Sequence, residues 1–299
     1  MYIRLILTLL VLLFGTGVAF AQDEDFDRQQ LFEAVRLTSP GETLTSLPAK
    51  FEFPDHARDG SVFGIDVSHH NFDGCKCTFD WADIASHKVQ FVYVKATQGT
   101  TYADPTFARS VAGARDQGKL AVGAYHFLST DDADKQAANF LRQIKTAGTL
   151  DLLPSLDLEW DLGPMTAACP SDAVIVISAK KKLCDRWSTL KASQIMDKVR
   201  AWVAVVSKQT GKPVSLYTNA AWWSARIGRD VLPSSLGLPV IWVADYSKSG
   251  LATEAPKSPG REAWTAWQFT AAAKVHSGKT LFSVDASIMS GDLAKLKGQ

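Results

Sequence analysis

Short apolar segments alternate with amphipathic stretches from residue 61 almost to the end of the chain. Eight apolar segments have the length of strands: 63–68, 91–97, 121–127, 152–160, 214–219, 240–246, 264–270 and 282–287. Three intervening segments predict helices: 104–117, 131–145 and 193–210. This alternation is typical of an α/β protein with a (β/α)8-like barrel. The last two connections are too short for regular helices, so we expect an irregular barrel with a partly antiparallel closing end.

The first 21 residues predict a cleavable signal peptide. Arg4 supplies a positive charge, an apolar stretch follows it, and Ala19-Phe20-Ala21 is a small-residue cleavage site. The apolar stretch is short for a membrane span, and no basic stop-transfer cluster follows it. We therefore expect cleavage after Ala21 and export to the periplasm or the medium.

The remaining chain divides into two parts. Residues 22–60 are acidic at first and then rich in Ser, Thr, Pro and Gly, which indicates a lead-in segment, while residues 61–299 carry the strand and helix pattern of the barrel domain. Loss of Arg4 lowers Lys+Arg from 32 to 31, against 31 Asp+Glu, so the mature chain is formally neutral. We expect no nucleic-acid partner, no stable membrane association and a monomer.

Two residue types leave alternatives open. The 9 tryptophans could stack on sugar rings or simply fill the core. Cys75, Cys77, Cys169 and Cys184 fit an oxidising compartment, and four cysteines allow three disulfide pairings. Zinc binding competes with disulfides, but the spacing is not that of common zinc modules and export favours oxidation. We expect disulfides, no metal and no cofactor.

Two acids lie in the apolar segment 152–160. In an extended strand Asp157 and Glu159 project to the same side, about 7 Å apart along the backbone. Mutual repulsion and partial burial raise at least one pKa, so one group can stay protonated near neutral pH. A glycosidase needs such an acid to protonate the leaving oxygen and a carboxylate to stabilise positive charge. A pair of solvated acids or a metal-binding pair are the alternatives.

Polar residues also end other predicted strands. Asp66 ends the first, Tyr125 and His126 end the third, and Asp245 ends the sixth. In a barrel these carboxyl ends converge on one face, where active sites are normally built. The sequence therefore predicts a site rich in carboxylates at that face.

These segments together resemble glycoside hydrolase family 25, the Chalaropsis-type lysozymes, from about residue 62 to 292. The motifs that carry the resemblance are GIDVSHHN at 64–71, Asp80-Trp81, FVYVKATQGTTYADPTF at 91–107, GAYHF at 123–127, SLDLEW at 155–160, LYTN at 216–219, WVADY at 242–246, WQF at 267–269 and VDAS at 284–287. The resemblance implies an irregular, flattened barrel. It also implies cleavage of the β-1,4 bond between N-acetylmuramic acid and N-acetylglucosamine in peptidoglycan glycan strands.

The resemblance assigns roles to individual residues. Glu159 matches the proton donor, Asp157 its partner, and Asp66 and Asp245 the two flanking acids. It implies retention of configuration, and we favour attack by the substrate's own N-acetyl oxygen, with Asp157 steadying the acetamido group. The residues implied to line the sugar cleft are Tyr125, Tyr217, Trp242 and Gln268, and those implied to support it are His126 and Asp285. His69 and His70 are interpreted as loop residues near the cleft.

The chain departs from the family pattern at three places. Gln98 stands where the family often has Glu, and the segments 71–79 and 161–187 are longer than the usual connections. Both segments follow strands that carry candidate acids, so we expect them to rim the cleft, to be tied by disulfides and to narrow the choice of substrate.

Two other functions remain open from the sequence. The first is a catalytically inactive glycan-binding protein on the same barrel, against which the presence of all four acids argues. The second is a metal-dependent hydrolase that uses Asp66, His126, Asp157 and Asp245 as ligands.

Overall fold

The computed structural model describes residues 61–73, 75, 77–176, 181–248, 250–251 and 253–299. The expected signal peptide and lead-in segment fall on residues 1–60, outside this part of the chain. Among the described residues, no helix is long and apolar enough to cross a lipid bilayer.

Eight strands close into a barrel. In order around the barrel they are β1 (Phe63–Val67), β12 (Thr280–Met289), β11 (Ala266–Ser277), β10 (Val240–Ala244), β9 (Ser215–Thr218), β5 (Ser155–Asp157), β4 (Ala121–Phe127) and β2 (Val89–Gln98), which pairs with β1 again. The pairs made by β12 with β1 and β11 are antiparallel, and the other pairs are parallel. A short strand β3 (Tyr102–Ala103) adds to β2. The predicted barrel with a partly antiparallel closing end is confirmed.

Helices occupy the connections between strands. They are α1 (Trp81–Ser86), α2 (Phe107–Asp116), α3 (Ala133–Lys145), α4 (Ala192–Thr210), α5 (Ala220–Arg226) and α6 (Ala294–Lys297). The three predicted helices correspond to α2, α3 and α4. Helix α3 begins after Asp132, whose carboxylate accepts the Lys135 N–H, and α4 ends at Gly211, whose φ of 66° suits a glycine.

Alternation along the strands separates the barrel interior from the layer beneath the helices. On β2, Phe91 and Tyr93 belong to the interior aromatic cluster, whereas Val92 and Val94, which alternate with them, pack in the core that includes the helices. Two glycines make room for these rings, because a Cβ on Gly64 would lie 2.2 Å from Phe91 and one on Gly123 2.3 Å from Tyr93. The interior is therefore packed with aromatic side chains.

Most of the tryptophans are core residues. Trp264 is partly buried, and the other eight are buried. Of the two readings left open by the sequence, core packing therefore holds for most of them.

The long segment after β5 folds as a small sheet of its own. Strands β6 (Leu162–Pro164), β8 (Lys182–Asp185) and β7 (Val174–Val176) lie antiparallel in that order. A disulfide joins Cys169 to Cys184, with their Cα atoms 5.9 Å apart. The second disulfide joins Cys75 to Cys77. The cysteines thus form two local bridges, one in each of the longer segments.

The strand predicted over 152–160 is shorter in the structure and covers Ser155–Asp157. Beyond Asp157 the backbone is still held, because Leu158 N donates to Tyr217 O at 2.9 Å and Thr218 Oγ1 donates to Leu158 O at 2.6 Å. Glu159 therefore lies just past the strand rather than within it, and the alternation argument applies to it only approximately.

Candidate active site

The four candidate acids lie where parallel strands end. Asp66 is on β1, Asp157 is the last residue of β5, Glu159 follows two residues later, and Asp245 follows β10 directly. Because the carboxyl ends of parallel strands share one end of a barrel, these residues belong to the same end of the molecule. Their exposed fractions are 4%, 1%, 8% and 7%, so all four are buried. Burial of an acidic side chain costs free energy, so such residues are normally paired with another group or serve binding or catalysis.

Gln268 on β11 connects several of these residues. Its Nε2 donates to Asp66 Oδ2 at 2.6 Å and lies 3.4 Å from Asp285 Oδ2. Its Oε1 accepts hydrogen bonds from Tyr217, at 2.8 Å, and from Tyr246. The Gln268 side chain is fully buried. Its amide orientation is defined because Nε2 faces the two aspartates and Oε1 faces the two tyrosine hydroxyls.

The strand register explains why two acids share this amide. Asp66 and Asp285 are directly opposite each other in the antiparallel pair of β1 and β12. Carboxylates at such positions repel one another, and a donor between them reduces the repulsion. Gln268 supplies that donor.

Asp245 is fixed by its own loop. Its Oδ1 accepts from Ser247 N at 3.0 Å and from Ser247 Oγ at 2.6 Å, and its Oδ2 accepts from Lys257 N at 2.8 Å. Donors on both oxygens hold the carboxyl group in one orientation. Trp267 Nε1 donates to the Asp245 carbonyl at 2.8 Å, which fixes the backbone as well.

The backbone that carries Glu159 is held by the inserted sheet. Trp187, directly after that sheet, donates its indole N–H to the Glu159 carbonyl at 2.8 Å, and its ring is fully buried. Leu128 N donates to the Asp157 carbonyl at 2.9 Å from the β4 side. The longer segment 161–187 therefore contacts the candidate proton donor through its backbone.

Two more buried acids lie in this region. Asp161 Oδ1 is 3.4 Å from Arg186 Nη1, and burial raises the pKa of Asp161 to about 6 although Arg186 opposes this. Asp185 Oδ2 is 2.5 Å from Arg226 Nε, and burial raises its pKa despite that pair. The Arg226 guanidinium also lies over the Trp160 ring, 5.5 Å from its centroid. The Asp185–Arg226 pair joins the inserted sheet to a helix of the barrel, whereas the Asp161–Arg186 pair lies within the segment 161–187.

The aromatic residues implied to line the cleft are buried within the barrel. Trp242 stacks on Tyr93 with ring centroids 4.9 Å apart and meets the edge of Tyr217 at 4.7 Å. Its Nε1 donates to Ser287 Oγ at 3.0 Å. Tyr125 is also buried, in register with Ser155 of β5. These rings therefore belong to one packed aromatic cluster inside the barrel.

His126 is separated from the acids. It follows the interior residue Tyr125 and is fully buried against Trp202 of α4, on the helix side of β4. Its Nδ1 lies 2.7 Å from Thr97 Oγ1, and its Nε2 lies 3.2 Å from Gln136 Oε1. Burial lowers the pKa of His126 to about 3, so the ring is neutral. The proposed metal-ligand set that included His126 is therefore not brought together.

Sequence reasoning did not single out several residues of this region. Tyr246 bonds the same amide as Tyr217, and its place beside Asp245 in the WVADY segment was a usable signal. The sequence offers no comparable signal for Asp161 and Asp185, because their burial depends on the inserted sheet. Gln98 accepts a hydrogen bond from Lys95 Nζ at 2.6 Å, so the amide has a cationic donor where the family often has Glu.

A barrel of this topology with buried acids at the carboxyl ends of its strands is the architecture of a carboxylate-dependent hydrolase. A family model described as glycosyl hydrolases family 25 matches residues 65–277. The chain therefore belongs to glycosyl hydrolases family 25, and the expected family and enzyme class are confirmed: it is a glycoside hydrolase of the lysozyme type.

Named relatives and solved structures agree with this assignment. Lysozyme M1 from Streptomyces globisporus is 30% identical over 281 residues, covering 86% of this chain and 81% of the relative. A family 25 lysozyme from Aspergillus fumigatus superposes with a TM-score of 0.58 at 26% identity, over 79% of this chain and 97% of that one. A family 25 glycosyl hydrolase from Bacillus anthracis gives 0.59 at 22% identity, over 80% and 94%, and shares the fold.

Proposed function

We propose that this lysozyme is an exported muramidase that cleaves the β-1,4 bond between N-acetylmuramic acid and N-acetylglucosamine in peptidoglycan, with retention of configuration. The observation that carries the proposal is the set of buried acids, Asp66, Asp157, Glu159 and Asp245, at one end of the barrel. Two local disulfides are consistent with secretion, and we propose removal of residues 1–21 on export.

In the first step Glu159 donates its proton to the glycosidic oxygen as the bond from that oxygen to C1 breaks. The acetamido oxygen of the same sugar attacks C1 and forms a cyclic intermediate. Asp157 accepts a hydrogen bond from the acetamido N–H and stabilises the positive charge that develops there. A buried carboxyl group retains its proton more readily than an exposed one, which suits Glu159 to donation.

In the second step water attacks C1 and opens the cyclic intermediate, while Glu159 takes up a proton from that water. Two successive inversions at C1 give net retention. Asp66 and Asp245 flank the sugar as the two further acids of the site and stabilise the positive charge that develops on it. Gln268 fixes Asp66, and the loop donors on Asp245 fix the second acid.

The test compares wild type with Glu159→Gln in a turbidity assay on purified peptidoglycan. We expect activity to fall by roughly 10²- to 10⁴-fold, the range for loss of a general acid, with an unchanged circular dichroism spectrum. Released fragments from wild type should end in a reducing N-acetylmuramic acid. Unchanged clearance by Glu159→Gln would remove Glu159 from its role, and reducing N-acetylglucosamine ends would refute the bond assignment.

A sugar thiazoline, a stable mimic of the cyclic intermediate, tests the substrate-assisted step. We expect competitive inhibition that weakens in Asp157→Asn. If the thiazoline does not inhibit while an enzyme-linked sugar accumulates in Glu159→Gln, a carboxylate attacks C1 directly.

A further inference from the structure

The segment after β1 brings two histidines and an aspartate together. His69–Phe72 form a short 3-10 helix that begins at Ser68, whose Oγ accepts the His70 N–H. One ligand-capable atom each from His69, His70 and Asp73 lies within 4.8 Å of the other two. The sequence alone predicts loop residues near the cleft at both histidine positions.

The segment is fixed to the barrel. Asn71 Oδ1 accepts the Ser68 N–H at 2.8 Å, and Asn71 Nδ2 donates to the carbonyl of Ser283 on β12 at 2.9 Å. The cluster therefore has a defined position on the rim of the barrel end that carries Asp66. A ligand set held by the fold loses less conformational entropy on binding than one on an unrestrained loop.

A buried carboxylate orients His69. Asp104 Oδ2 lies 3.0 Å from His69 Nδ1 and also accepts the His69 backbone N–H at 3.0 Å. A carboxyl oxygen at this nitrogen favours the tautomer of His69 with hydrogen on Nδ1, which places the lone pair on Nε2. A carboxylate behind a histidine in this way is a common feature of metal sites.

We propose that His69, His70 and Asp73 form a binding site for a late first-row divalent ion such as Zn²⁺, Cu²⁺ or Ni²⁺. Two imidazoles and one carboxylate are donors that these ions prefer, whereas Mg²⁺ and Ca²⁺ prefer all-oxygen sets. His70 Nδ1 and Asp73 Oδ2 are already 2.9 Å apart. Ligand atoms that share an ion at about 2.0–2.2 Å lie on the order of 3 Å apart, so this pair is already at ligand spacing, and the His69 atom lies within 4.8 Å of both.

The site is separate from the proposed reaction. The sugar chemistry assigned to Glu159 and Asp157 uses no ion, and His70 and Asp73 are accessible on the surface. Three protein ligands leave further coordination positions for water or another ligand. A bound ion links three residues of the segment after β1, namely His69, His70 and Asp73, and thereby stabilises the folded state.

Equilibrium dialysis and thermal unfolding test the proposal on the full untagged chain, with ZnCl₂ as the probe. We expect one bound Zn²⁺ and a Tm that rises with Zn²⁺ and falls back with chelator, while Mg²⁺ and Ca²⁺ have no effect. His70→Ala and Asp73→Asn should each lower Zn²⁺ affinity at least 10-fold and abolish the rise in Tm. Circular dichroism and the Tm in chelator should match wild type in both variants, so that a lost response to Zn²⁺ reports on binding and not on folding.

The matched control is His87→Ala. His87 Nε2 lies 3.6 Å from Asp83 Oδ1, and within the described part of the chain no third ligand group joins this pair. This variant should bind Zn²⁺ as wild type does. Asp104→Asn should weaken binding by about 10- to 100-fold, the effect of losing an orienting carboxylate. Unchanged Zn²⁺ binding in both His70→Ala and Asp73→Asn, or binding only after reduction of the Cys75–Cys77 disulfide, would overturn the proposal.

Discussion

Gln268 donates its side-chain amide to Asp66 at 2.6 Å, and this contact joins two strands that are separated by 202 positions in sequence. The same amide accepts from Tyr217 and Tyr246, so its donor side faces the acids. A neutral group thus separates two carboxylates, Asp66 and Asp285, that face each other across β1 and β12. The buried carboxyl group of Asp66 thus has a neutral hydrogen-bond donor beside it.

Gln268→Glu should therefore inactivate the enzyme without unfolding it. The substitution replaces the donor with a third carboxylate beside Asp66, so a hydrogen bond to a charged group, worth about 1.5–3 kcal/mol, is lost and repulsion is added. We expect kcat on peptidoglycan to fall by at least 10-fold, measured together with the circular dichroism spectrum.

Gln98→Glu is the matched control for this prediction. Gln98 also carries a side-chain amide on a barrel strand, but its Oε1 accepts a hydrogen bond from Lys95 Nζ. A carboxylate at position 98 therefore forms an ion pair with Lys95 and adds no repulsion. We therefore expect Gln98→Glu to keep an activity within about 2-fold of wild type. Equal losses in both variants would mean that Gln268 acts only through packing.

Trp187→Phe should lower activity by more than its loss of folding stability accounts for. The change keeps an aromatic ring but removes the indole N–H that bonds the Glu159 carbonyl at 2.8 Å. A net hydrogen bond contributes about 1 kcal/mol, so we expect kcat to fall by roughly 5-fold with KM nearly constant. Steady-state kinetics on peptidoglycan, with urea unfolding beside them, measure both effects.

Trp222→Phe provides the comparison. Trp222 is equally buried and its ring contacts Trp187 at 5.8 Å, but its Nε1 has no hydrogen-bond partner among the described residues. This variant should lose similar packing and keep its kcat. If the two variants lose the same activity, the hydrogen bond to Glu159 carries no positioning role.

The sequence was sufficient for the barrel because each strand is a short apolar run with polar residues at one end, as in Phe63–Val67 and Val240–Ala244. It also placed the antiparallel end correctly, since the last connections are too short for helices. It could not show that 161–187 forms a sheet, because these strands are three or four residues long. The shared amide of Gln268 was equally hidden, since it depends on the register of three strands.

Loss of the Cys169–Cys184 disulfide should destabilise the protein and loosen the inserted sheet. The bridge spans 15 residues, for which the loss of unfolded-state restraint corresponds to about 3 kcal/mol. The double variant Cys169→Ala/Cys184→Ala should unfold at lower urea concentration and accept a wider range of glycan fragments. The Cys75–Cys77 bridge spans 2 residues, so its double alanine variant should change stability far less. Unchanged stability and substrate range in the first variant would contradict the expected role of this segment.

Asp161 should make the protein less stable as pH rises from about 4 to 6. Its pKa is raised from 3.8 to about 6 by burial, so between these values the folded state binds more protons than the unfolded state. The free energy of unfolding therefore decreases through this window, by an amount on the order of 3 kcal/mol for a shift of this size, and levels off above it. Asp161→Asn removes the ionisation and should flatten this part of the curve, measured by urea unfolding at pH 4.5 and 7.

The control for Asp161→Asn is Asp197→Asn. Asp197 is exposed on α4, and its Oδ1 lies 3.2 Å from Arg200 Nη1. Asp197→Asn therefore also removes an aspartate–arginine pair, but at an exposed position. Its unfolding curve should keep the wild-type dependence on pH, since exposed pairs contribute at most about 1 kcal/mol. A wild-type slope in Asp161→Asn as well would show that Asp161 is ionised in the folded protein throughout this range and that Arg186, rather than burial, governs its charge.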